Sequence, residues 1–510
     1  MNAVQKNELK SGVILSYINL GLGTVIPFIY TPIMLRMLGQ AEYGLFSLAS
    51  SAVSYLSLLS FGFGSTIIRY ISKYRAEKDK KSEEKAFGFF LILYCVLALL
   101  VLLCGAIIAN NVEAIFQKGL SANELKKMKV LVMIMTFNSA LSFPNSVFSS
   151  MITANEKYIF RKLVDMFSTV LAPLANLVAL YLGYASVGMA TAATVVQFLM
   201  LPVNIYYCLR KLHIKPVIEK LPIALIKEML GFSVFVFIGS IVDMLFWATD
   251  KVILGMLSGS VAVAIYNVGG TFNNMVMNLS TSISGVLTPR VTGMVVKDAS
   301  KDELTNLFIR VGRLQFIVIA LIVSGFTAFG QAFITLWAGK DYHDAYWVAI
   351  LTMFPLCVPL IQNIGLTIVT AQNKHQFRSI IYMIIAILNV VTTYIAVPYC
   401  GILGAATCSC FAYILGQGIV MNIYYYKVTG LDIPLFWKNI LKMAIVPGIM
   451  MFSGLLINRI YEIDNWIIFL IGIIVFTGIY IVLMYEVSFN EYERSIFREP
   501  LKRIIKRIKG

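Results

Sequence analysis

Apolar runs of roughly twenty residues, each closed by a short polar or charged stretch, recur along the whole chain. As a helix, such a run is about 30 Å long, enough to cross the hydrocarbon core of a bilayer. Fourteen runs, centred near residues 24, 55, 97, 140, 171, 197, 244, 274, 319, 358, 388, 414, 448 and 476, define helices 1 to 14. The expected fold is therefore an all-α integral membrane protein.

The pattern also occurs twice. Thr153-Ala154 leads through Lys157 to Phe160-Arg161, and 217 residues later Thr370-Ala371 leads through Lys374 to Phe377-Arg378. Val187-Gly188-Met189-Ala190 is echoed by Leu403-Gly404-Ala405-Ala406, and Asn204-Ile205-Tyr206-Tyr207 by Asn422-Ile423-Tyr424-Tyr425. These spacings predict two pseudo-symmetric six-helix bundles, residues 1–222 and 223–430, with helices 13 and 14 and a basic tail appended over 431–510. Six spans are an even number, so both bundles enter the membrane in the same direction. The axis relating them then runs along the membrane normal. Duplicated bundles of this kind suggest a substrate site between the copies, open alternately to either side.

Composition agrees. The chain of 510 residues is 59% apolar and 13% charged, with a mean hydropathy of +0.80, more apolar surface than a soluble fold can hide. Its net charge of +16 follows from topology. With both termini placed inside, the 42 Lys and Arg fall in cytoplasmic segments except Arg36, Lys118, Lys126, Lys127, Lys129, Lys251, Lys340 and Arg459. That asymmetry sets the orientation and attracts anionic lipid, so nucleic acid is not an expected partner. The tail from Glu499 to Gly510 alternates basic residues with Leu501, Ile504, Ile505 and Ile508, and is expected to lie on the membrane surface. The first apolar run is too long for a signal peptide and is taken as a retained helix.

No connecting loop exceeds about 20 residues, which leaves no room for a soluble catalytic domain. No phosphate-binding G-x-x-x-x-G-K-[ST] loop occurs, so ATP hydrolysis by this chain is not expected. Seven cysteines lie mostly inside apolar runs and read as small hydrophobes rather than disulfides. His213, His343 and His375 are far apart in predicted loops, and no metal or cofactor signature is present.

Several stretches carry a family likeness. Leu38-Gly39-Gln40-Ala41-Glu42-Tyr43-Gly44-Leu45-Phe46 links helices 1 and 2; Asp250 to Gly255 with Ala264-Ile265-Tyr266-Asn267 spans helices 7 and 8; Pro289 ends helix 8; Gly401 to Ala406 precedes helix 12. In this order, and with a 6+6+2 helix plan, the chain resembles the polysaccharide transporter family of the multidrug/oligosaccharidyl-lipid/polysaccharide superfamily, above all its O-antigen and capsule-unit flippases. The resemblance implies translocation, not catalysis: movement of an undecaprenyl-diphosphate-linked oligosaccharide across the bacterial cytoplasmic membrane. It implies membrane lipids and a polysaccharide polymerase or export machinery as partners.

Polar groups inside a span are costly and usually face a wet interior. Asp243 sits near the middle of helix 7; Asp250 follows seven residues on, with Trp247 between them and Lys251 beside that face. A tryptophan flanked by carboxylates can pack on a sugar while polar groups bind hydroxyls. Structural hydrogen bonding to neighbouring helices is the competing account. Asp243 is also the candidate for coupling to a proton or sodium gradient. Helix 8 places Asn267, Asn274, Asn278 and Thr281 on one stripe; helix 2 carries Ser47, Ser50, Ser51, Ser54 and Tyr55 on one face. Such faces suit carbohydrate, or else mark helix–helix contacts. For the diphosphate that the resemblance implies, Arg69, Arg290 and Arg36 are the candidate ligands, because a guanidinium holds phosphate oxygens bidentately. The repeated set Lys157, Arg161, Lys374 and Arg378 is a further candidate, with Asp165 expected to pair Arg161.

Three other readings stay open from sequence. A multidrug antiporter keeps the fold and makes the carboxylates essential. A peptidoglycan-precursor flippase also has fourteen helices. A membrane-embedded glycan polymerase or acyltransferase needs catalytic groups in large outer loops, and the longest, near Asn110 to Lys126, holds only Glu113 and Glu124 as acids.

Overall fold

In the computed structural model, residues 3–219, 223–372, 374–460, 463–495 and 498 are described, and every regular element among them is helical. The proposed surface segment from Glu499 to Gly510 lies outside these residues. All fourteen predicted centres fall on helical backbone. Helices 1 and 2 form one stretch, Ala3–Ser54, broken at Gly39, whose φ of 75° is a conformation that only glycine adopts without strain. Helices 11 and 12 are likewise joined through His375–Tyr413 and broken at Gly401. Helix 10 is a bent pair, Ala345–Ile361 and Asn363–Ala371, with 47° between its halves. Two membrane-crossing stretches thus hold two rods each, which is why apolar length alone finds fewer spans than the sequence pattern does.

The chain groups into two compact units, Met1–Asn267 with Val390–Ile402, and Val268–Asn389 with Leu403–Gly510. This is a grouping by proximity, distinct from the internal repeat.

The repeat is a repeat of contacts. In the first unit, Phe160 stacks on Tyr207 with ring centres 3.6 Å apart and planes at 9°. In the second, Phe377 stacks on Tyr424 at 4.6 Å and 9°; Phe377 lies 217 positions after Phe160, and Tyr424, the echo of Tyr206, takes the stacking place of Tyr207. Asn204 Nδ2 donates to Asn145 Oδ1 at 2.8 Å, and in the equivalent place Gln362 Nε2 donates to Asn422 Oδ1 at 2.8 Å. The T-A-x-x-K segment also turns alike: the amide of Lys157 reaches the Ile152 carbonyl, and that of Lys374 the Val369 carbonyl.

At the end of the first unit that carries the 1–2, 3–4, 5–6 and 7–8 links, side chains tie the links together. Glu42 pairs with Lys127 and accepts from the Ser186 hydroxyl at 2.6 Å. Asn267 Nδ2 donates to the Tyr43 hydroxyl at 2.5 Å, and Ser260 donates to Glu124 at 2.5 Å. Gly44 is obligatory, since a Cβ there would stand 1.8 Å from the Ser260 carbonyl oxygen. In the second unit, Lys301–Trp337 (helix 9) receives Ile433–Ile460 (helix 13) and Trp466–Leu483 (helix 14) around Phe329, Met443, Phe469 and Phe476. Trp337 is 2% exposed beside Phe272 and Phe333.

A buried ion pair closes that packing. Arg313 donates from Nε and a terminal nitrogen to the two oxygens of Glu493, at 2.6 and 2.7 Å, and to the Ser488 carbonyl at 2.9 Å. Removing one partner strands the other charge away from water, at a cost of about 3–5 kcal/mol. Glu493→Ala should therefore lower the thermal unfolding midpoint in detergent clearly, and Arg313→Met with Glu493→Leu should lower it less. Equal midpoints for Glu493→Ala and the parent would remove the pair from any part in holding helices 9 and 14.

Candidate substrate-translocation site

Helix 7 is two pieces, Ile223–Trp247 and Thr249–Leu257, separated at Ala248. The break falls between the two carboxylates that an unbroken helix would align. Asp243 is exposed, Trp247 and Lys251 are half-buried, and Asp250 is 0% exposed. The Tyr266 hydroxyl donates to Asp250 Oδ2 at 2.6 Å, and Thr249 shares a 2.5 Å hydrogen bond with Tyr55. Asp250 therefore has the structural role that sequence had left as the alternative, and Asp243 stands on the open side of the helix.

Helix 8, Ser260–Val296, carries polar residues on two faces with different fates. One face is satisfied inside the second unit. Asn273 donates to Thr352 at 2.5 Å, Ser280 to the Leu360 carbonyl at 3.1 Å, and Asn363 to Ser284 at 2.9 Å. Gln315 also donates to the Ser280 carbonyl at 3.2 Å. The other face is open: Asn274, Asn278, Thr281, Gly285, Thr288 and Thr292 are all exposed and recur every three or four residues. Uncharged polar groups at membrane depth need water or a polar ligand against them. Asn267, half-buried, is engaged by Tyr43 and belongs to the linking contacts instead.

Helix 2 divides similarly. Ser47 and Ser51 are buried, whereas Ser50 and Ser57 are exposed and Ser54 is half-buried, its hydroxyl bonded to the Ser51 carbonyl at 2.6 Å. Ser50, Ser54 and Ser57 face Asn138 and Ser139 of Ala122–Ala154 (helix 4) across a recess of about 300 Å³. Phe46, Val53 and Met135 form its apolar wall, and Ala190 and Ala193 of Ala185–Tyr206 (helix 6) complete it. Sequence reasoning selected Ser51, which is turned away, and missed Ser57, Asn138 and Ser139. The available signal was the polar cluster Asn138 to Ser146 in the middle of an apolar span.

Arg36, Arg69 and Arg290 are all exposed. Arg290 follows Thr281 by nine residues, about 180° around a helix, so it projects from the side opposite the open stripe. Three members of the repeated basic set, Arg161, Lys374 and Arg378, each engage a neighbouring group. Arg161 donates to Ser149 at 2.6 Å and pairs with Asp165 at 2.9 Å, Lys374 caps the Val428 carbonyl at 2.9 Å, and Arg378 lies over the Tyr382 ring. On the connecting segments, Glu219 pairs with Lys85, which holds its carboxyl below the usual range.

A model of the polysaccharide biosynthesis protein family matches residues 9–295, more than half of the chain, and the chain belongs to that family. Membrane protein EpsK of Bacillus subtilis, itself uncharacterized, is 21% identical over 86% of this chain and 86% of its own. A protein of Escherichia coli K12, provisionally named an O-antigen transporter, is 21% identical over 74% of this chain and 87% of its own. Among solved structures, the lipid II flippase MurJ in an inward closed conformation superposes with a TM-score of 0.74 at 16% identity, covering 96% of this chain and 99% of that one. An inward-facing multidrug resistance MATE transporter gives 0.61 at 15% identity, over 79% and 96%. The fold is that of the multidrug/oligosaccharidyl-lipid/polysaccharide superfamily, and the protein is a multi-pass membrane protein.

The two faces of helix 8 separate experimentally. Cysteines introduced at Asn278 and Thr281 should react readily with a hydrophilic thiol reagent in intact membranes, and cysteines at Ser280 and Ser284 should not. Uniform reactivity at all four positions would contradict the assignment of faces.

Proposed function

We propose that this protein is a flippase that carries an undecaprenyl-diphosphate-linked oligosaccharide across the bacterial cytoplasmic membrane, both termini inside, for surface polysaccharide synthesis. The supporting observation is the open face of helix 8, from Asn274 to Thr292, uncharged and polar over most of a membrane thickness. Such a face offers amide and hydroxyl partners to sugar hydroxyls. A carrier of hydrophobic cations would bind through accessible carboxylates, and of Asp243 and Asp250 only Asp243 is exposed, Asp250 being buried against Tyr266. The fold likeness to MurJ keeps a peptidoglycan precursor as the second candidate cargo, with the same lipid-diphosphate-sugar chemistry. The mechanism is alternating access by the two bundles.

Arg69, exposed on Phe63–Ala76, is assigned to the diphosphate, and Asp243 to ion coupling. A hydrogen bond to a charged group contributes about 1.5–3 kcal/mol, so Arg69→Gln should cut export roughly ten- to a hundred-fold at normal protein level. Arg290→Gln, on the far side of helix 8, should cost much less. Asp243→Asn should leave export insensitive to dissipation of the proton or sodium gradient, and retained sensitivity would take the coupling role from Asp243. Deleting the gene should strip the surface glycan and accumulate complete lipid-linked units in the membrane, whose sugars identify the cargo. Normal lipid-linked saccharides together with heightened sensitivity to cationic dyes would turn the assignment to a drug antiporter.

A further inference from the structure

The recess between helices 2, 4 and 6 has a lining that restricts what can enter it. Its polar groups are four serine hydroxyls and one carboxamide, from Ser50, Ser54, Ser57, Ser139 and Asn138, and no charged side chain lines it. Asn138 lies near the middle of Ala122–Ala154, so the recess sits well inside the membrane. A carboxylate or ammonium brought there would lose its hydration with no counter-charge to replace it, which costs far more than moving a hydroxyl into hydrogen-bonding reach. At about 300 Å³ the recess falls at the small end of the range for ligand pockets, roughly 300–1,000 Å³, room for one ring rather than a chain of them. Phe46 gives the lining an apolar ring, and the small Ala193 takes up little of the recess. Hydroxyl donors and acceptors beside a flat apolar wall match the amphipathic faces of a pyranose.

We propose that this recess is a subsite for a single uncharged sugar ring of the transported lipid-linked oligosaccharide, and that it discriminates against uronic acids and free amino sugars at that ring. The assignment rests on the flippase reading above and adds which part of the cargo the first bundle holds. Serine hydroxyls and the Asn138 carboxamide line the recess together, so both a bare hydroxyl and an N-acetyl group find partners. Selection by charge arises from the absence of a counter-ion, not from a clash of shape.

The test uses the full chain with its seven native cysteines replaced and export activity retained, carrying Asn138→Cys or, as an independent second probe, Ser139→Cys. In lipid nanodiscs, the rate of modification by a small methanethiosulfonate is followed with methyl N-acetylglucosaminide or methyl glucuronide present at equal concentration. The neutral glycoside should slow modification several-fold, and the uronate should not. Ala193→Phe, which fills the recess, should abolish the protection. Equal protection by both glycosides, protection by neither at both positions, or protection that survives Ala193→Phe would overturn the subsite. The two proposals fail separately: protection with unaltered export after gene deletion leaves the sugar subsite and removes the flippase. Loss of export on deletion without protection removes the subsite alone.

Discussion

Hydrocarbon gives a polar group nothing to bond with, and the whole molecule is arranged around that fact. Backbone amides satisfy themselves within helices, so every regular element among the described residues is helical. Side chains have two solutions. Asn273, Ser280 and Ser284 find partners on neighbouring helices, and Asp250 finds Tyr266. Asn274, Asn278 and Thr281, only a residue or two away around helix 8, remain exposed. A polar residue left exposed at this depth cannot face lipid without a penalty, so the open faces call for water or a polar ligand against them. Burial thus does the sorting between scaffold and site that residue type cannot.

The same economy explains why the repeat survives as contacts rather than as residues. At the join of helices 4 and 6 the first copy uses Asn145 with Asn204; at the join of helices 10 and 12 the second uses Gln362 with Asn422. Asparagine and glutamine are interchangeable where one amide must donate to another across a helix pair. The stacked pairs Phe160–Tyr207 and Phe377–Tyr424 keep both ring types and the 9° parallel geometry, because a flat contact between close helices tolerates little else. Around these fixed joins the apolar surface diverges freely. In the second copy Trp437 of helix 13 also donates to Asn422, at 2.8 Å.

Much of this was legible in the chain itself. The fourteen apolar centres all fall on helical backbone, and the internal echo matches the paired Phe–Tyr stacks. The Arg161–Asp165 pair follows from four-residue spacing alone. What sequence could not resolve was rotation and continuity. Asp243 and Asp250 share a face only on an unbroken helix, and nothing in Trp247-Ala248-Thr249 announces the break between them. Ser51 and Ser54 differ by less than a turn, yet one is buried and the other meets the recess. Asn138 and Ser139 belong to a polar cluster within a mostly apolar helix 4, where Ser142, Asn145 and Ser149 follow Asn138 at helical spacing and residue type does not separate recess from packing. Arginine carries the same charge wherever it points, so Arg290 looked equivalent to Arg69 until the stripe on helix 8 fixed which way that helix faces.

The bonds holding different parts of the molecule differ in kind, and the difference bears on movement. Where the links of the first unit meet, the ties to helix 8 are single hydrogen bonds, Ser260 to Glu124 and Asn267 to Tyr43, each worth about 0.5–3 kcal/mol net because water replaces them on separation. Gly44 lets the backbones touch without interlocking side chains that would have to disengage. Helices 13 and 14 are held otherwise: a desolvated, bidentate Arg313–Glu493 pair and interleaved aromatic rings that water cannot replace. Parting the first kind of contact costs a few kcal/mol, within reach of a coupling ion or of cargo binding. Parting the second would cost more than such sources supply. The contacts that hold helices 13 and 14 are thus much harder to part than the hydrogen bonds between helix 8 and the links.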